Sequence, residues 1–536
     1  MWSLLERARL RAAQVPGQTR FHLSSVLSPA LLAEPRDRSA RRAAATDDRD
    51  EPRIPALDSR LRALLLQTGL SPSLVLLPPS VDGDQGEIWV GFGHAVLLQP
   101  GTQDELNTIA ERGQQILSSL VQLRDPPDSE ASFDSPPPRL FGALQFDAFA
   151  RDVNAGGSQH VAIDGRDPWQ GLPQAQFVLP RWLVCLRDDR NIIQLVATAD
   201  QLLSPQALQD ELRAIETALL ALDLRIGSAL ESSLASPIAS MACTSDLGGV
   251  TLSSDEAKQW RSLVTRALGC IAKGDLAKVV LARFQCIDRA VGQNFDWVSA
   301  VCLLRQQYPA CLRFVLPLVG LDGVTALFMG ATPELLVERR ELNVRCDALA
   351  GSRPWSAEVE SAQSVAESLL LDDKERREHA FVVQSICDRL TRHGAQIEPS
   401  LPQARILRNV VHLWTPLAGT LTQPVHILSL LRDLHPTPAV CGVPQAAAAD
   451  FISENEGWSR GYYAAPIGWF DAQGDGAFYV GIRSALLRDD RAWLFAGAGI
   501  VAGSEPDHEL RETAAKLRPM LSALACEPAG QPRMSA

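Results

Sequence analysis

Residues 434–516 constrain the fold of this chain more than any other stretch. They begin with LHPTPAVCG, continue through RGYYAAPIGW and GDGAFYVGIRSALL, and end with AGAGIVAGSEPDHELRETAAK. Two apolar runs of strand length stand there beside a glycine-rich corner and a helix with acidic residues on one face. Small residues next to carboxylates favour the binding of a small anion together with a hard cation. We expect the remaining segments to supply the other walls of such a site.

Composition excludes several classes of protein. The chain has 536 residues, of which 46% are hydrophobic and 21% charged, as in a globular protein with a large core. Its net charge of -12 leaves no basic surplus to neutralise phosphates, so we expect no nucleic-acid partner. No apolar run reaches the roughly 18 residues that a transmembrane helix requires, so we expect no membrane partner.

The ten cysteines are scattered singly. They form no CxxC pair and no Cys/His cluster at zinc spacing, so they are typical of buried thiols rather than of a disulfide framework. Thiols of this kind indicate a reducing compartment. We therefore expect a cytoplasmic protein.

The first segment has a composition of its own. Residues 1–55 contain many arginines, several serines and few acidic residues before Asp47. This is typical of a disordered extension, or of a transit peptide that would indicate a plastid location. We predict that the segment lies outside the fold. The fold then comprises an N-terminal half at 56–245 and a C-terminal half at 246–525, followed by a tail at 526–536.

Helical and strand patterns alternate through both halves. Apolar residues at helical spacing predict an amphipathic helix at 105–123 and a long helical region at 357–394. Ser253 or Ser254 caps another helix, and the strand KVVLAR follows it. Residues 225–250, rich in serine, alanine and glycine, predict a linker. The pattern predicts an α+β fold in which both halves contribute to one large sheet system.

Lys278 and Glu334 are candidates for a proton-transfer pair. Lys278 precedes four apolar residues in KVVLAR, where partial desolvation would lower its pKa and let it act as a neutral base. Glu334 follows a Gly-Ala-Thr-Pro corner, where a partly buried carboxyl keeps its proton at neutral pH and serves as a general acid. Each motif alone is also compatible with a residue at the surface. Lys278 would then be a lysine that begins a strand and reaches solvent, and Glu334 would be a glutamate in an exposed turn.

Two helical segments carry the same ExxE spacing. Glu375 and Glu378 occur in KERREHAFVV, and Glu509 and Glu512 repeat the spacing near the end of the chain. Residues so spaced share one face of a helix. Carboxylates from two such helices would form an oxygen-only Mg²⁺ site in which the ion keeps some of its waters. Each pair alone is also compatible with a solvated charged face.

Other residues are suited to binding an anion. Arg483 in VGIRSAL follows an apolar strand and is a candidate for paired hydrogen bonds to a carboxylate. Gly497 and Gly499 in AGAGI would let backbone N–H groups approach an anion closely. The sequence has neither GxGxxG nor GKS/T, which disfavours nucleotide binding. His412 in VVHLWTP is, taken alone, typical of a core histidine.

The motifs also occur in an order known from one family. KVVLAR, GATPELL, ALAGSRP, KERREHAFVV, VVHLWTPLAGTL, LHPTPAVCG, RGYYAAPIGW, GDGAFYVGIRSALL and AGAGIVAGSEPDHELRET follow one another as in the chorismate-utilising enzymes. Within that family the chain most resembles the isochorismate synthases of menaquinone and siderophore biosynthesis. The resemblance covers residues 250–525. It implies a single large α+β fold of the chorismate-binding type, with antiparallel sheets sandwiched and flanked by helices.

The resemblance implies a reaction for the proton-transfer pair. Lys278 would deprotonate a water molecule that attacks C2 of chorismate. Glu334 would protonate the departing C4 hydroxyl, so that the hydroxyl moves from C4 to C2 with a shift of the double bond. The partner would be the small molecule chorismate, and we expect a monomer or weak dimer.

The resemblance also implies a set of binding residues. Mg²⁺ on the ring carboxylate would be held by Glu378 and Glu512, with Glu375 and Glu509 behind them through water. The residues that would contact the substrate are Tyr463, Arg483, Gly497, Gly499 and Lys516 at its carboxylates, Gly351 and Ser352 near C4, and His412 in the pocket.

A few positions separate the branches of the family. Lys278 fits the enzymes that add water, and Ala350 replaces the lysine that aminodeoxychorismate synthases carry in PIKGT. Salicylate synthase shares Lys278 and Glu334 and then eliminates pyruvate, so it stays an alternative. Ala439 in LHPTPAVCG favours the synthase that stops at isochorismate. A catalytically silent chorismate-binding protein is a further alternative, against which the intact pair argues.

Overall fold

The computed structural model describes most of the chain. The described residues are 1–27, 57–79, 87–99, 105–124, 136–146, 167–187, 191–220, 254–290, 292–320, 323, 325–355 and 360–524. The predicted linker at 225–250 and the predicted tail at 526–536 lie outside them.

Helices and strands alternate along these residues, as the sequence predicts. The helices are α1 (Trp2–Ala12), α2 (Leu57–Gln67), α3 (Glu105–Ser118), α4 (Ala199–Leu203), α5 (Gln206–Leu220), α6 (Ser254–Lys273), α7 (Trp297–Gln307), α8 (Ala362–Leu370), α9 (Asp373–Arg392), α10 (Ile427–Leu434), α11 (Gln445–Asn455) and α12 (Pro506–Leu524). The strands are β1 (Arg20–Leu27), β2 (Pro72–Leu77), β3 (Ile88–Leu98), β4 (Val121–Arg124), β5 (Arg139–Leu144), β6 (Ala175–Leu186), β7 (Asn191–Thr198), β8 (Lys278–Asp288), β9 (Leu312–Val319), β10 (Thr325–Thr332), β11 (Leu335–Arg340), β12 (Asn343–Pro354), β13 (Ala395–Pro399), β14 (Gln403–Ile406), β15 (Val410–Leu421), β16 (Gly442–Val443), β17 (Pro466–Asp471), β18 (Gly476–Val480), β19 (Ser484–Arg488) and β20 (Arg491–Val501).

The described strands form one 20-stranded sheet that branches at β6. One branch runs β4–β1–β7–β6–β3–β2–β9–β10–β19–β20–β8–β16. The other leaves β6 through β5 and runs β17–β18–β11–β12–β15, and both β13 and β14 pair with β15. Among these pairings only β1–β4 is parallel. Strands of the two predicted halves pair directly in β2–β9 and β5–β17. The α+β prediction is confirmed.

Central strands are buried on both faces. Along β2, Leu74 and Leu76 face one hydrophobic core, while Val75 and Leu77 face another. Successive side chains of a strand point to opposite faces, so a strand covered on both sides reads as a continuous apolar run. The first core takes side chains from both branches of the sheet. The second is covered by α1, α2, α5, α7 and α12.

The prediction that residues 1–55 lie outside the fold is wrong for residues 1–27. Helix α1 buries an apolar stripe that includes Leu4 and Ala8 in the second core, while its arginines stay at the surface. Strand β1 then pairs with both β7 and β4. The arginine-rich composition predicted disorder, but the segment folds because its apolar residues have helical spacing and are buried. Residues 28–56 lie outside the described part of the chain.

The predicted helical region at 357–394 is two helices. Helix α8 ends at Leu370, and Asp372 caps α9 by accepting hydrogen bonds from the N–H groups of Lys374 and Glu375. A strong N-cap starts a new helix, so α8 and α9 are separate helices. The break places Glu375 in the first turn of α9, where the helix dipole favours a carboxylate. Among the described helices, none is long and apolar enough to cross a membrane.

Candidate active site

A cavity lies where β8, β12 and β20 meet α9 and α12, and the space between its lining atoms, with its opening to solvent included, is about 800 Å³. Every candidate residue named from the sequence lines it except Lys278. Those lining residues are Glu334, Gly351, Ser352, Glu375, Glu378, His412, Tyr463, Arg483, Gly497, Gly499, Glu509, Glu512 and Lys516. Residues far apart in the chain therefore meet at one place.

Ser352 joins the two helices that carry the ExxE pairs. Its N–H donates to Glu375 Oε2 at 3.1 Å, and its hydroxyl donates to Glu512 Oε1 at 2.7 Å. Glu375 belongs to α9 and Glu512 to α12, whereas Ser352 lies on β12 between them. One serine therefore fixes a carboxylate of each pair.

The clustered carboxylates perturb one another's pKa values. Burial raises the pKa of Glu375 to about 7, and the neighbouring charges of Glu378 and Glu512 add to the effect. Burial and Glu512 likewise raise the pKa of Glu509 to about 7. At Glu512 burial also opposes ionisation, but the Lys516 ammonium 2.5 Å away holds its pKa below the usual value. A cation bound among these groups would relieve their repulsion.

The donor set fits a hard divalent cation. Glu509 is 2% exposed, and its Oε1 atom has no hydrogen-bond partner among the described residues. A buried carboxylate oxygen in that state is costly unless it binds a cation. Glu509, Glu512 and the exposed His508 place ligand atoms within 4.8 Å of one another. Oxygen ligands with room for water are those that Mg²⁺ prefers, so these residues could hold it.

Sequence reasoning missed Lys374. Its ammonium lies 3.8 Å from Glu375 Oε1 and 3.8 Å from Glu509 Oε1, at the edge of the same cavity. Its position beside Glu375 in KERREH was the available signal. Lys374 supplies a positive charge between the two ExxE pairs.

Lys278 lies one layer behind the cavity wall. Its side chain is 1% exposed, and its ammonium contacts Glu378 Oε1 at 2.8 Å in an ion pair without the angles of a hydrogen bond. Gly499 makes room for this pair, because a Cβ there would lie 2.5 Å from Glu378 Oε1 and 3.2 Å from Lys278 Cε. The prediction that Lys278 begins a buried strand is confirmed. Glu378, which lines the cavity, covers its ammonium.

Glu334 is buried at the corner between β10 and β11. Its N–H donates to Thr332 Oγ1 at 3.3 Å, and its carbonyl accepts from the Val480 N–H at 3.1 Å. Burial and the charge of Asp347 raise the pKa of Glu334 to about 8, although Lys278 acts in the opposite direction. A carboxyl that keeps its proton at neutral pH meets the requirement for a general acid.

Arg483 and His412 bond to each other at the cavity wall. Arg483 Nη2 donates to His412 Nε2 at 2.8 Å. Because a guanidinium only donates, Nε2 carries no proton, and the ring also interacts with the Gly351 backbone. Burial, followed by the charges of Arg483 and Lys516, holds the pKa of His412 well below its usual value. A neutral His412 therefore fixes the position of the guanidinium.

Lys516 and Tyr463 shape the wall near the glycines. Lys516 Nζ donates to the Gly497 carbonyl at 3.0 Å as well as to Glu512. The Tyr463 ring stacks on Phe495 with centroids 5.4 Å apart, and a Cβ at Gly497 would lie 3.0 Å from the Tyr463 hydroxyl. Gly497 thus leaves room for the tyrosine. That the N–H groups of Gly497 and Gly499 bind an anion stays a prediction.

A buried ion pair at the cavity was also missed. Arg460 lies beside Glu456, and Arg460 Nε donates to Glu456 Oε2 at 2.8 Å. The guanidinium also donates to the carbonyls of Val440 and Val280, each at 2.7 Å. Glu456 accepts a further hydrogen bond from the Ala282 N–H at 2.7 Å. The pair ties β8 to the LHPTPAVCG segment, and the arginine of RGYY was its only signal.

Solved structures share this fold. The menaquinone-specific isochorismate synthase MenF of Escherichia coli aligns with a TM-score of 0.64 and 23% identity over 97% of this chain and 99% of that one. A putative 2,3-dihydroxybenzoate-specific isochorismate synthase, DhbC, from Bacillus anthracis aligns with a TM-score of 0.61 and 24% identity over 88% of this chain and 100% of that one. At these identities the likeness establishes the fold alone.

Curated relatives resemble part of the chain more closely. The salicylate biosynthesis isochorismate synthase of Pseudomonas aeruginosa is 40% identical over 274 residues, 51% of this chain. Isochorismate synthase MenF of Bacillus subtilis is 44% identical over 269 residues, 50% of this chain. The chain spans 56% of the length of each of these relatives in the match.

The family model for chorismate binding enzymes matches residues 81–525. That range contains every residue that lines the cavity. It also contains strands of both branches of the sheet and both helices that carry the ExxE pairs. The chain belongs to the chorismate binding enzyme family.

Proposed function

We propose that the protein is an isochorismate synthase, which isomerises chorismate to isochorismate. The observation that carries the proposal is Glu334, a cavity-lining carboxyl whose pKa burial raises to about 8. Expelling a hydroxyl group requires a proton donor, because hydroxide is a poor leaving group. The names of the curated relatives in Pseudomonas aeruginosa and Bacillus subtilis support the same activity.

Chorismate is a dicarboxylate, so its site needs positive charge away from water. Arg483 is 6% exposed and the Lys516 side chain 16%, and both line the cavity. A desolvated guanidinium binds a carboxylate strongly through paired hydrogen bonds. In our proposal these two residues and Tyr463 hold the carboxylates of the substrate, and the ring lies beside Gly351 and Ser352.

Mg²⁺ is the proposed cofactor. Glu378 and Glu512 would hold it, with Glu375 and Glu509 behind them through water. The buried Oε1 atom of Glu509, which has no hydrogen-bond partner among the described residues and lies 3.8 Å from the Lys374 ammonium, supports a cation at this place. When bound, the ion supplies positive charge to the ring carboxylate and orients the substrate.

The proton transfers fall to Lys278 and Glu334. Neutral Lys278 takes a proton from a water molecule as the water oxygen bonds to C2. The ring double bond shifts and the C4–O bond breaks. Glu334 gives its proton to the departing oxygen, which leaves as water. One water enters and one leaves, so the net reaction is an isomerisation.

Glu378 has to change partners before Lys278 acts as a base. The 2.8 Å ion pair holds the Lys278 ammonium against the carboxylate and out of the cavity. An ammonium held by a carboxylate is stabilised in its charged form. Engagement of Glu378 as a metal ligand would release that contact, which links the metal site to the base.

Product analysis tests the proposal. Purified protein is incubated with chorismate and Mg²⁺, with a parallel sample in a chelator, and the products are separated by chromatography. We expect isochorismate with Mg²⁺ and none with the chelator. Glu334→Gln should form none, whereas Glu398→Gln, a change at an exposed glutamate on β13, should match the wild type. Unchanged chorismate would overturn the proposal, and salicylate with pyruvate would establish the salicylate synthase alternative.

A further inference from the structure

Strand β12 contains a bulge at the cavity wall. Its pairing with β15 shifts register between Leu349 and Ser352. Ala350 and Gly351 together oppose the single residue Leu413 there, and Gly351 has a φ of +81°. A bulge removes backbone groups from the ladder, and buried groups of this kind need other partners.

His379 supplies one such partner. It is 2% exposed, and its Nδ1 lies 3.1 Å from the Ala350 carbonyl, while its Nε2 lies 2.7 Å from Thr415 Oγ1. A carbonyl oxygen only accepts, so the Nδ1 atom must carry a proton. His379 therefore donates to Ala350 from α9, and Thr415 holds the far side of the ring from β15.

His412 supplies the other partner. Its ring interacts with the backbone of Gly351 and accepts from Arg483 on its opposite side. Each of the two bulge residues thus adjoins a histidine, and Ala350 is held by the hydrogen bond from His379.

The position of the bulge determines the position of Ser352. Ser352 follows it directly and contacts Glu375 through its N–H and Glu512 through its hydroxyl. A shift of the bulge would therefore change the geometry of both hydrogen bonds. Partners behind a metal ligand commonly change metal affinity when they are lost.

We infer that His379 is a positioning residue, which holds the β12 bulge through the Ala350 carbonyl and so aligns Glu375 and Glu512 through Ser352. The inference deepens the proposed function and rests on it where Mg²⁺ affinity is measured. The protonation of the histidine ring is measured without added metal.

The first experiment observes the ring itself. The protein is labelled with ¹⁵N-histidine, and the His379 signal is assigned by its loss in His379→Gln. Two-bond nitrogen–proton spectra without added metal should show the proton on Nδ1. A proton on Nε2 alone would overturn the inference whatever the enzyme's activity.

The second experiment compares two amides at this position. The amide nitrogen of His379→Asn takes the place of Nδ1 and keeps the donor to Ala350, whereas the longer His379→Gln places its amide near Nε2. Metal affinity is measured by calorimetry with Mg²⁺ alone, and the thermal midpoint is recorded for each variant. We expect His379→Asn within about threefold of the wild-type affinity and His379→Gln weaker by about tenfold or more.

If His379 only filled space in the core, His379→Asn and His379→Gln would change the Mg²⁺ affinity alike. Equal Mg²⁺ affinities in the two variants would therefore contradict the inference. The same pair of changes at His393, which contacts Asp433 at the far end of α9, is the control and should leave Mg²⁺ affinity unchanged. If the wild type binds no Mg²⁺, the proposed metal site fails, and the ring spectra still decide the role of His379.

Discussion

Replacing Glu334 with glutamine should make the protein more stable while it abolishes turnover. The carboxyl is 3% exposed, and burial raises its pKa from 4.5 to about 8. In the unfolded chain the group ionises near 4.5, whereas in the folded protein it keeps its proton up to about 8. Folding therefore takes up a proton between these values, and stability falls as the pH rises through this window. Glutamine carries no ionisable proton, so Glu334→Gln escapes this loss.

The size of the effect follows from the two pKa values. Each pKa unit corresponds to about 1.4 kcal/mol, so the wild type loses about 1 kcal/mol by pH 5 and about 5 kcal/mol by pH 9 through this group. The advantage of Glu334→Gln should thus grow by about 4 kcal/mol between these pH values. Any pH-independent cost of the amide cancels in that difference.

Equilibrium unfolding in urea at pH 5, 7 and 9, without added metal, measures the difference. Glu398→Gln, at an exposed position on β13, is the control and should follow the wild type at each pH. Wild-type turnover should fall above about pH 8, because Glu334 must be protonated to act as the proposed general acid. A stability difference that does not change with pH, or turnover that rises above pH 8, would refute the assignment of Glu334.

Three further changes address the carboxylates and the base. Gly499→Ala should lower kcat by about a hundredfold in steady-state assays, because the added Cβ displaces Glu378; an active variant would contradict the close approach. Lys374→Met should tighten Mg²⁺ binding about tenfold in calorimetry without chorismate, since it removes a competing cation. Lys273→Met at the exposed end of α6 is its control, and weaker binding in Lys374→Met would refute the competition. Lys278→Ala should abolish turnover yet keep Mg²⁺-dependent binding of chorismate, and unchanged turnover would remove Lys278 from the base role.

Local sequence patterns predicted which residues belong to the site, but not which of them contact one another. The ExxE pairs, Glu334 and Arg483 stand in recognisable motifs, and the structure brings all of them to one cavity. The ion pair between Lys278 and Glu378 could not be predicted. The two residues lie on β8 and α9, which are far apart in sequence and come together only in the folded protein. Long-range packing decides such contacts, and residue types at local spacing do not encode it.

At the N-terminus, composition and apolar spacing gave conflicting predictions. The arginine content predicted disorder, whereas the apolar stripe that includes Leu4 and Ala8 forms a packed helix. Exposed arginines are compatible with either state, whereas apolar residues at helical spacing require a core to bury them. The spacing was the better guide for residues 1–27.

The bulge at Ala350 and Gly351 is a further feature whose contacts the sequence did not predict. Gly351 has a positive φ, which a glycine accommodates easily, but the sequence did not indicate that His379 would bond to the Ala350 carbonyl or that His412 would lie against the Gly351 backbone. His379 belongs to α9 and His412 to β15. Their shared role is visible only once the register of β12 and β15 is known.

In the proposed reaction, water enters at C2 while the C4 hydroxyl leaves. A single turnover with Mg²⁺ in water enriched in oxygen-18, followed by mass spectrometry of the product, distinguishes this route from an intramolecular shift. We expect isochorismate that carries one solvent oxygen, located at C2. Isochorismate without solvent oxygen would show that the hydroxyl moves within the molecule, and it would contradict the proposed roles of Lys278 and Glu334.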